Sequence, residues 1–170
     1  GRCFEYWSED PYLAGHEAVG IVAGVQSKGV GTSLKHFAAN SQETDRLRIS
    51  ANISQRALRE IYFPAFEYIV KTAQPWTIMC SYNRINGVHS AQNRWLLTDV
   101  LRDEWGFKGI VMSDWGADHD RVASLNAGLN LEMPPSYTDD QIVYAARDWR
   151  IQPEQLDRMA QGMIDLANKT

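Results

Sequence analysis

The chain has 170 residues, of which 44% are apolar and 22% charged, with a formal net charge of −4; this is the composition of an ordinary globular domain with a sizeable core. The acidic balance and the lack of a basic tract argue against nucleic acid as a partner, and no apolar run is long enough to predict a membrane span. Two cysteines do not define a disulfide framework, and Cys80, in an apolar run, is expected to be a buried thiol.

The first third of the chain predicts a helix, a strand and a long loop. Residues 12–27 favour a helix, and residues 32–37 form a strand-like run that ends in polar groups. Residues 38–53 are polar and irregular, and loops of that length in compact domains are commonly functional. Ser54 is then expected to cap a helix, which Pro64 should kink.

Helices and strands alternate through the rest of the chain. A strand is predicted over 76–80, a helix from an Asn93 cap to a Gly106 stop, and a strand over 109–113. Three further helices are expected over 119–127, over 139–148 and from Pro153 onwards, and one more strand over 129–133. This order indicates an α/β fold with parallel strands. Because four strands are too few for an eight-stranded barrel of about 250 residues, we expect part of a TIM-like (β/α)8 barrel.

Three strand ends carry polar groups in the same register, namely Lys35-His36, Ser81-Tyr82 and Ser113-Asp114. The carboxyl ends of barrel strands are where catalytic groups lie, and Trp115 offers a flat face to a sugar ring. Two structural alternatives stay open at this point. Asp114 could simply end its strand and cap a turn, and His36 could be a satisfied core histidine beside a Lys35 that reaches solvent.

Other chemistries lack their motifs. His16-Glu17 begins like a zinc-protease motif, but Gly20 stands where the second histidine should be. The run Asp118-His119-Asp120 is more simply a helix cap than a cation site. The chain has no Gly-x-Ser-x-Gly elbow and no phosphate-binding glycine loop. No metal and no cofactor are therefore expected.

Five ordered motifs resemble the β-glucosidase and β-xylosidase branch of glycoside hydrolase family 3. They cover almost the whole chain: Gly1-Arg2-Cys3-Phe4-Glu5 with Ser8-Glu9-Asp10-Pro11-Tyr12, Lys35 to Thr44, Ser81 to Gly87, Ser113-Asp114-Trp115-Gly116, and Ala127 to Pro134. The N-acetylglucosaminidase branch of the family carries Pro-Gly-His-Gly-Asp after its Lys-His-Phe. Ala38-Ala39-Asn40 stands there instead, which disfavours that branch.

The resemblance implies site residues, position by position. Asp114 matches the catalytic nucleophile of the family. Arg2, Lys35 and His36 match the groups that hold the hydroxyls of the terminal, nonreducing sugar. Lining the same subsite are the matches Met79, Tyr82 and Trp115, with Tyr82 next to the nucleophile.

The resemblance also implies what the chain lacks. Residues 1–170 would form part of the N-terminal barrel domain, without the start of the barrel and without the second α/β domain. A further sugar-binding Asp would precede the chain and the acid/base Glu would follow it, so the remainder of the same enzyme is an expected partner. Glu43 and Glu132 match no acid/base motif. The family usually has Asp where Asn130 stands, a difference we interpret as structural.

The implied function is hydrolysis of terminal, nonreducing β-D-glucosyl residues of a β-glucoside or oligosaccharide, with retention of configuration. A β-xylosidase of the same family is the alternative within the enzyme class. A sugar-binding module without turnover is the rival from another class, because no acid/base group is recognisable. A Schiff-base aldolase that uses Lys35 is a more distant alternative. The cellular compartment is left open.

Overall fold

The computed structural model describes residues 2–169. Gly1, which belongs to the first sequence motif, and Thr170, the last residue of the predicted domain, lie outside the described residues. Within that range the chain forms six α-helices, six strands and several tighter or wider helical turns. The helices are α1 Pro11–Gln26, α2 Gln55–Ala57, α3 Pro64–Ala73, α4 Arg121–Ala127, α5 Asp140–Arg147 and α6 Pro153–Ala167. The strands are β1 Ser33–Phe37, β2 Ser50–Ala51, β3 Thr77–Cys80, β4 Arg84–Ile85, β5 Val88–His89 and β6 Ile110–Met112.

The central sheet confirms the predicted parallel order. β1 pairs with β3 and β3 pairs with β6, all parallel. The fourth predicted strand, 129–133, is reduced to a single parallel bridge from Met112 to Leu131 next to β6. Since parallel neighbours end at the same edge of a sheet, the residues that follow β1, β3 and β6 meet there. The fold is an open portion of a TIM-like α/β barrel.

One face of this sheet carries the hydrophobic core. Ile78 and Val111 are paired neighbours on β3 and β6 and are fully buried. They belong to one cluster with Val70 of α3 and with Leu97 and Trp105. Full burial of each such side chain contributes roughly 1.5–3 kcal/mol. The helices therefore pack against this face of the sheet. Lys35 and Met79 alternate with the core residues along their strands and lie on the opposite face.

The predicted caps form as expected. The Ser54 hydroxyl accepts a hydrogen bond from the Ala57 amide at 3.2 Å, and the Asn93 side chain accepts one from the Leu96 amide at 3.1 Å. Gly106 ends its helix with φ 74° and Gly128 ends α4 with φ 114°, both in the left-handed region that glycine adopts without strain.

Two features differ from the predicted pattern. The loop 38–53 is not wholly irregular, because β2 pairs with the β4–β5 hairpin to form a second, small sheet. In addition, the helix from Ser54 and the helix Trp95–Glu104 contain wide turns, in which the Phe63 amide bonds the Leu58 carbonyl and the Trp105 amide bonds the Val100 carbonyl. Pro64 starts α3 directly after the first wide turn, where its missing N–H costs nothing.

A membrane-crossing helix, which must be long and continuously apolar, is absent from residues 2–169.

Candidate active site

Asp114 follows β6 at the carboxyl edge of the central sheet and is only 8% exposed. Its Oδ1 accepts a hydrogen bond from the Trp115 amide at 2.7 Å. Its Oδ2 lies 3.5 Å from Nε2 of His36 and has no hydrogen-bond partner within residues 2–169. One carboxylate oxygen is therefore held by the backbone, while the other is left available to a reacting atom.

His36, near the end of β1, is buried against Asp114 and Lys35. The Lys35 ammonium, which can only donate, lies 3.3 Å from His36 Nε2, so this nitrogen acts as the acceptor. Nδ1 then carries the proton and faces the Tyr6 hydroxyl oxygen at 3.3 Å. Burial and the Lys35 charge lower the pKa of His36. The ring is thus a neutral group whose two nitrogens are both engaged.

Glu5 links the predicted sugar-binding cations, a role that the sequence did not reveal. Its Oε2 accepts a hydrogen bond from Lys35 Nζ at 2.9 Å, and its Oε1 contacts the Arg2 guanidinium. His36 Nδ1 lies 3.9 Å from the same oxygen. Burial alone would raise the pKa of Glu5, but the Lys35 hydrogen bond and the charges of its neighbours outweigh burial and lower this pKa. Glu5 is therefore an ionised carboxylate that orients Lys35 and Arg2, and not a proton donor.

Arg2 is also held from the other side. Only 6% of Arg2 is exposed. Its guanidinium donates to Glu43 Oε2 at 2.7 Å, and the other Glu43 oxygen accepts from Arg46 at 2.9 Å. Two carboxylates thus surround Arg2. Glu5 and His36 link it to Asp114 on one side, and Glu43 and Arg46 link it to Tyr82 on the other.

Tyr82, which follows β3, lies beside the Asp114 carboxylate. Burial first, and then the Asp114 charge, raise the pKa of Tyr82. The Arg46 guanidinium covers the ring at 5.3 Å from its centroid. Arg46 is a second neighbour that sequence reasoning missed, because it lies in the loop whose path depends on tertiary structure.

The last two predicted residues, Met79 and Trp115, lie on β3 and directly after Asp114. Met79 is half-buried on β3, in register with Met112 of β6. Trp115 is 64% exposed, and its backbone amide holds Asp114 while its ring stays accessible. Such a ring can stack on the less polar face of a sugar.

The nearby carboxylates are engaged elsewhere. Glu132 accepts hydrogen bonds from the Ser136 amide and hydroxyl and lies 3.4 Å from the Arg121 guanidinium. Glu43 and Glu5 are paired with cations, as described above. None of these three is placed as an acid/base partner to Asp114. Residues 2–169 likewise bring no three metal-ligating side chains together.

Asn130 has a structural role. Its Oδ1 accepts hydrogen bonds from Arg102 at 2.8 Å and from the Val111 amide at 2.9 Å. Its Nδ2 donates to the Met159 carbonyl at 3.1 Å. The side chain therefore ties β6 to α6 on the side of the sheet away from Asp114.

Comparison with known families gives one clear match. Residues 1–166 match the profile of the glycosyl hydrolase family 3 N terminal domain. Over 170 residues, all of this chain, it is 89% identical to an exo-alpha-(1->6)-L-arabinopyranosidase of Bifidobacterium longum, 22% of which is covered. Over 166 residues it is 51% identical to thermostable beta-glucosidase B of Acetivibrio thermocellus, with 96% of this chain and 22% of the relative covered.

Solved structures agree with this match. The structure of a GH3 beta-glucosidase from Bifidobacterium adolescentis superposes with a TM-score of 0.98 at 95% identity, over 99% of this chain and 25% of that one. Beta-glucosidase 3B from Thermotoga neapolitana in complex with glucose superposes with a TM-score of 0.95 at 45% identity, over the same shares. The chain spans about one fifth to one quarter of these relatives.

Proposed function

The chain belongs to glycosyl hydrolase family 3, and from this premise we propose that it carries the nucleophile and the nonreducing-end sugar subsite of a retaining exo-glycosidase. The observation that carries the proposal is the Asp114 carboxylate. It is buried, it is held through Oδ1 by the Trp115 amide, and its Oδ2 is unpartnered within the described part of the chain.

In the proposed reaction, Asp114 Oδ2 attacks the anomeric carbon, and the glycosidic bond breaks as the leaving oxygen takes a proton from an acid/base carboxyl group. Water, deprotonated by the same acid/base group, then attacks from the face that the leaving group occupied and releases Asp114 as a carboxylate, which returns the original configuration. The Tyr82 hydroxyl, beside Asp114, can donate to the nucleophile and orient it. The second carboxyl group must lie ~5–5.5 Å from the first in a retaining enzyme, and we propose that the remainder of the protein supplies it as a Glu.

We propose that Arg2, Lys35 and His36 bind the hydroxyls of the sugar. Lys35 and His36 carry donors and acceptors at the same edge as Asp114, and Glu5 orients Lys35 through its 2.9 Å hydrogen bond. Arg2 joins this group through its contact with Glu5. Met79 and the exposed ring of Trp115 would line the apolar side of the sugar. A further Asp from the part of the protein before this chain would complete the subsite.

The proposed substrate class rests on the stereochemistry shared by the sugars that appear in the names of the relatives. A β-D-glucopyranoside and an α-L-arabinopyranoside have the same configuration at C1, C2 and C3, and differ at C4 and in the hydroxymethyl group on C5. A cluster that binds the hydroxyls nearest the anomeric carbon would accept both. We therefore propose β-D-glucosides as substrates, with α-L-arabinopyranosides as the second class because of the 89% identical relative, and β-D-xylosides as the alternative.

The test uses the full-length protein and 4-nitrophenyl glycosides of these three sugars. We expect hydrolysis of the β-D-glucoside, with the β-anomer of the free sugar appearing first in the proton NMR spectrum. Hydrolysis of the arabinoside alone would move the substrate assignment to that sugar. α-D-Glucose as the first product from the β-D-glucoside, or β-L-arabinopyranose from the α-L-arabinopyranoside, would contradict the retaining mechanism, and binding of glucose without hydrolysis of any glycoside would favour the sugar-binding alternative.

A further inference from the structure

Two histidines outside the proposed sugar subsite contact each other through their rings. The rings of His89 and His119 have centroids 4.1 Å apart and planes inclined by 44°. His89 lies on β5, in the segment that follows Tyr82, and His119 lies in the segment that follows Asp114. The pair therefore joins the two chain segments that carry the proposed nucleophile and its hydroxyl neighbour.

The hydrogen bonds of His89 determine its orientation. Arg84, its partner in the β4–β5 hairpin, donates from Nε to His89 Nε2 at 3.1 Å. Because Nε2 must offer a lone pair to this donor, the proton lies on Nδ1, which faces the Tyr82 carbonyl at 3.3 Å. Burial and the neighbouring His119 and Arg84 lower the pKa of His89. His89 is thus a neutral, oriented ring whose far edge holds the backbone of Tyr82.

The segment that carries His119 is anchored by hydrogen bonds near both of its ends. At its start, the Gly116 amide bonds the Met133 carbonyl at 2.8 Å. At its end, the Asp118 carboxylate accepts from the Ser124 hydroxyl at 2.6 Å and from Arg121 at 3.1 Å. His119 itself is exposed apart from its contact with His89. Its ring is therefore available to hold this segment against the β4–β5 hairpin.

We propose that His89 and His119 are positioning residues, and that their ring contact keeps the Asp114–His119 segment in register with Tyr82 during glycoside hydrolysis. This inference rests on the proposed function. It assigns no contact with substrate to either ring. The ring contact acts on the placement of Asp114, so its loss should lower the rate of the chemical step more than it weakens substrate binding, since small misplacements of reacting groups cost large factors in rate.

The test compares His119→Ala with His119→Phe in the full-length protein. We expect His119→Ala to lower kcat about tenfold with KM within about twofold of wild type, and His119→Phe, which keeps an aromatic ring, to keep most of the rate. His89→Gln, which also removes the contacts of His89 with Arg84 and Tyr82, should lose at least as much as His119→Ala, and adding His119→Ala to it should cost no further rate, because the ring contact is already lost. Equal kinetics for wild type and His119→Ala, equal losses for Ala and Phe, or additive losses would overturn the proposal.

Amide hydrogen exchange of the peptides that contain residues 82–89 and 115–120 separates this inference from the proposed function. We expect faster exchange in His119→Ala but not in His119→Phe, and the same exchange in all three proteins would overturn the ring contact. If the wild-type protein hydrolyses none of the aryl glycosides, the proposed function fails, and the exchange result alone decides whether the contact holds the two segments together.

Discussion

Lys35 shows how one side chain at the end of a strand can serve a buried site without being buried itself. Its side chain is 41% exposed, yet its ammonium lies between the Glu5 carboxylate at 2.9 Å and the His36 ring at 3.3 Å. The stem of a lysine can cover apolar surface while its charged end is directed elsewhere. Here the charged end is directed by Glu5 towards the edge where Asp114 lies.

Replacement of Lys35 tests this arrangement by activity. In the full-length protein, Lys35→Ala should lower kcat/KM for an aryl β-glucoside roughly 30-fold, which corresponds to about 2 kcal/mol for one charged hydrogen bond to the sugar. Lys71→Ala is the matched control, since Lys71 pairs with Glu67 on the surface of α3. Unchanged kcat/KM in Lys35→Ala would mean that the side chain is only structural.

Replacement of Glu5 tests the same cluster by pH. A carboxylate with a lowered pKa in the folded state stabilises the fold above its unfolded pKa, and this contribution is lost as the pH falls through the folded value. The lowered pKa of Glu5 therefore predicts that Glu5→Gln reduces the melting temperature at pH 7, and that the difference from wild type shrinks as the pH falls below about 4.5. Glu60→Gln, on an exposed surface pair, is the control. A difference that does not change with pH would contradict the assignment.

At the scale of elements, a close approach of backbone to backbone explains why a glycine precedes β6. A Cβ on Gly109 would lie 2.3 Å from the Trp76 carbonyl oxygen and 2.7 Å from Cζ of Phe107. No real Cβ tolerates these distances, so the strand could enter the sheet only by displacing β3 or the Phe107 ring. The register that brings Asp114 to the carboxyl edge thus depends on this residue having no side chain.

Replacement by alanine should have opposite effects on stability at Gly109 and at Gly20. Gly109→Ala should destabilise the domain by roughly 1–3 kcal/mol through overpacking. Gly20→Ala should stabilise it by up to about 1 kcal/mol, because Gly20 lies exposed in α1 with nothing within 4 Å of an added Cβ. Chemical denaturation measures both. A Gly109→Ala protein as stable as wild type would show that the strand has room to shift.

The sequence predicts long elements well and short ones poorly, for a physical reason. The parallel strands and the caps at Ser54 and Asn93 were predicted because periodicity and capping chemistry are local. The two-residue strand β2 carries no periodicity, and it exists only because the β4–β5 hairpin pairs with it. The same holds for the wide turn at Phe63, which depends on packing around it.

The residues of the candidate site divide in the same way, into those next to regular strands, which could be predicted, and those in turns, which could not. Asp114, His36, Lys35 and Tyr82 were predicted because each ends or follows an apolar strand. Glu5, Tyr6 and Arg46 lie in turns, and their approach to the cluster is decided by tertiary contacts. For Glu5 a weak signal was available, since the two cations Arg2 and Lys35 near one edge need a carboxylate to balance them.

At the scale of the whole molecule, the core and the site lie on opposite sides of one thin sheet. Cys80 is fully buried on the core side of β3, and burial raises the pKa of its thiol to about 12. Cys3, in the turn before α1, is exposed. Alkylation of Cys80 therefore reports on whether the helices stay packed against the sheet.

We predict that iodoacetamide at pH 8 alkylates Cys3 in the folded full-length protein and leaves Cys80 unmodified, because only an accessible thiolate reacts. In denaturant both should react at similar rates, which serves as the control. Peptide mass spectrometry distinguishes the two positions. Modification of Cys80 without unfolding would mean that the core is open.

The central claim is that Asp114 is the nucleophile, and covalent trapping tests it most directly. The full-length protein is treated with 2,4-dinitrophenyl 2-deoxy-2-fluoro-β-D-glucopyranoside, whose leaving group needs little protonation and whose fluorine slows breakdown of the glycosyl ester. Peptide mass spectrometry should place one 2-fluoroglucosyl group on Asp114, and Asp114→Asn should give no adduct. An adduct on Glu5, Glu43 or Glu132, or an Asp114→Asn protein that keeps wild-type activity, would contradict the account.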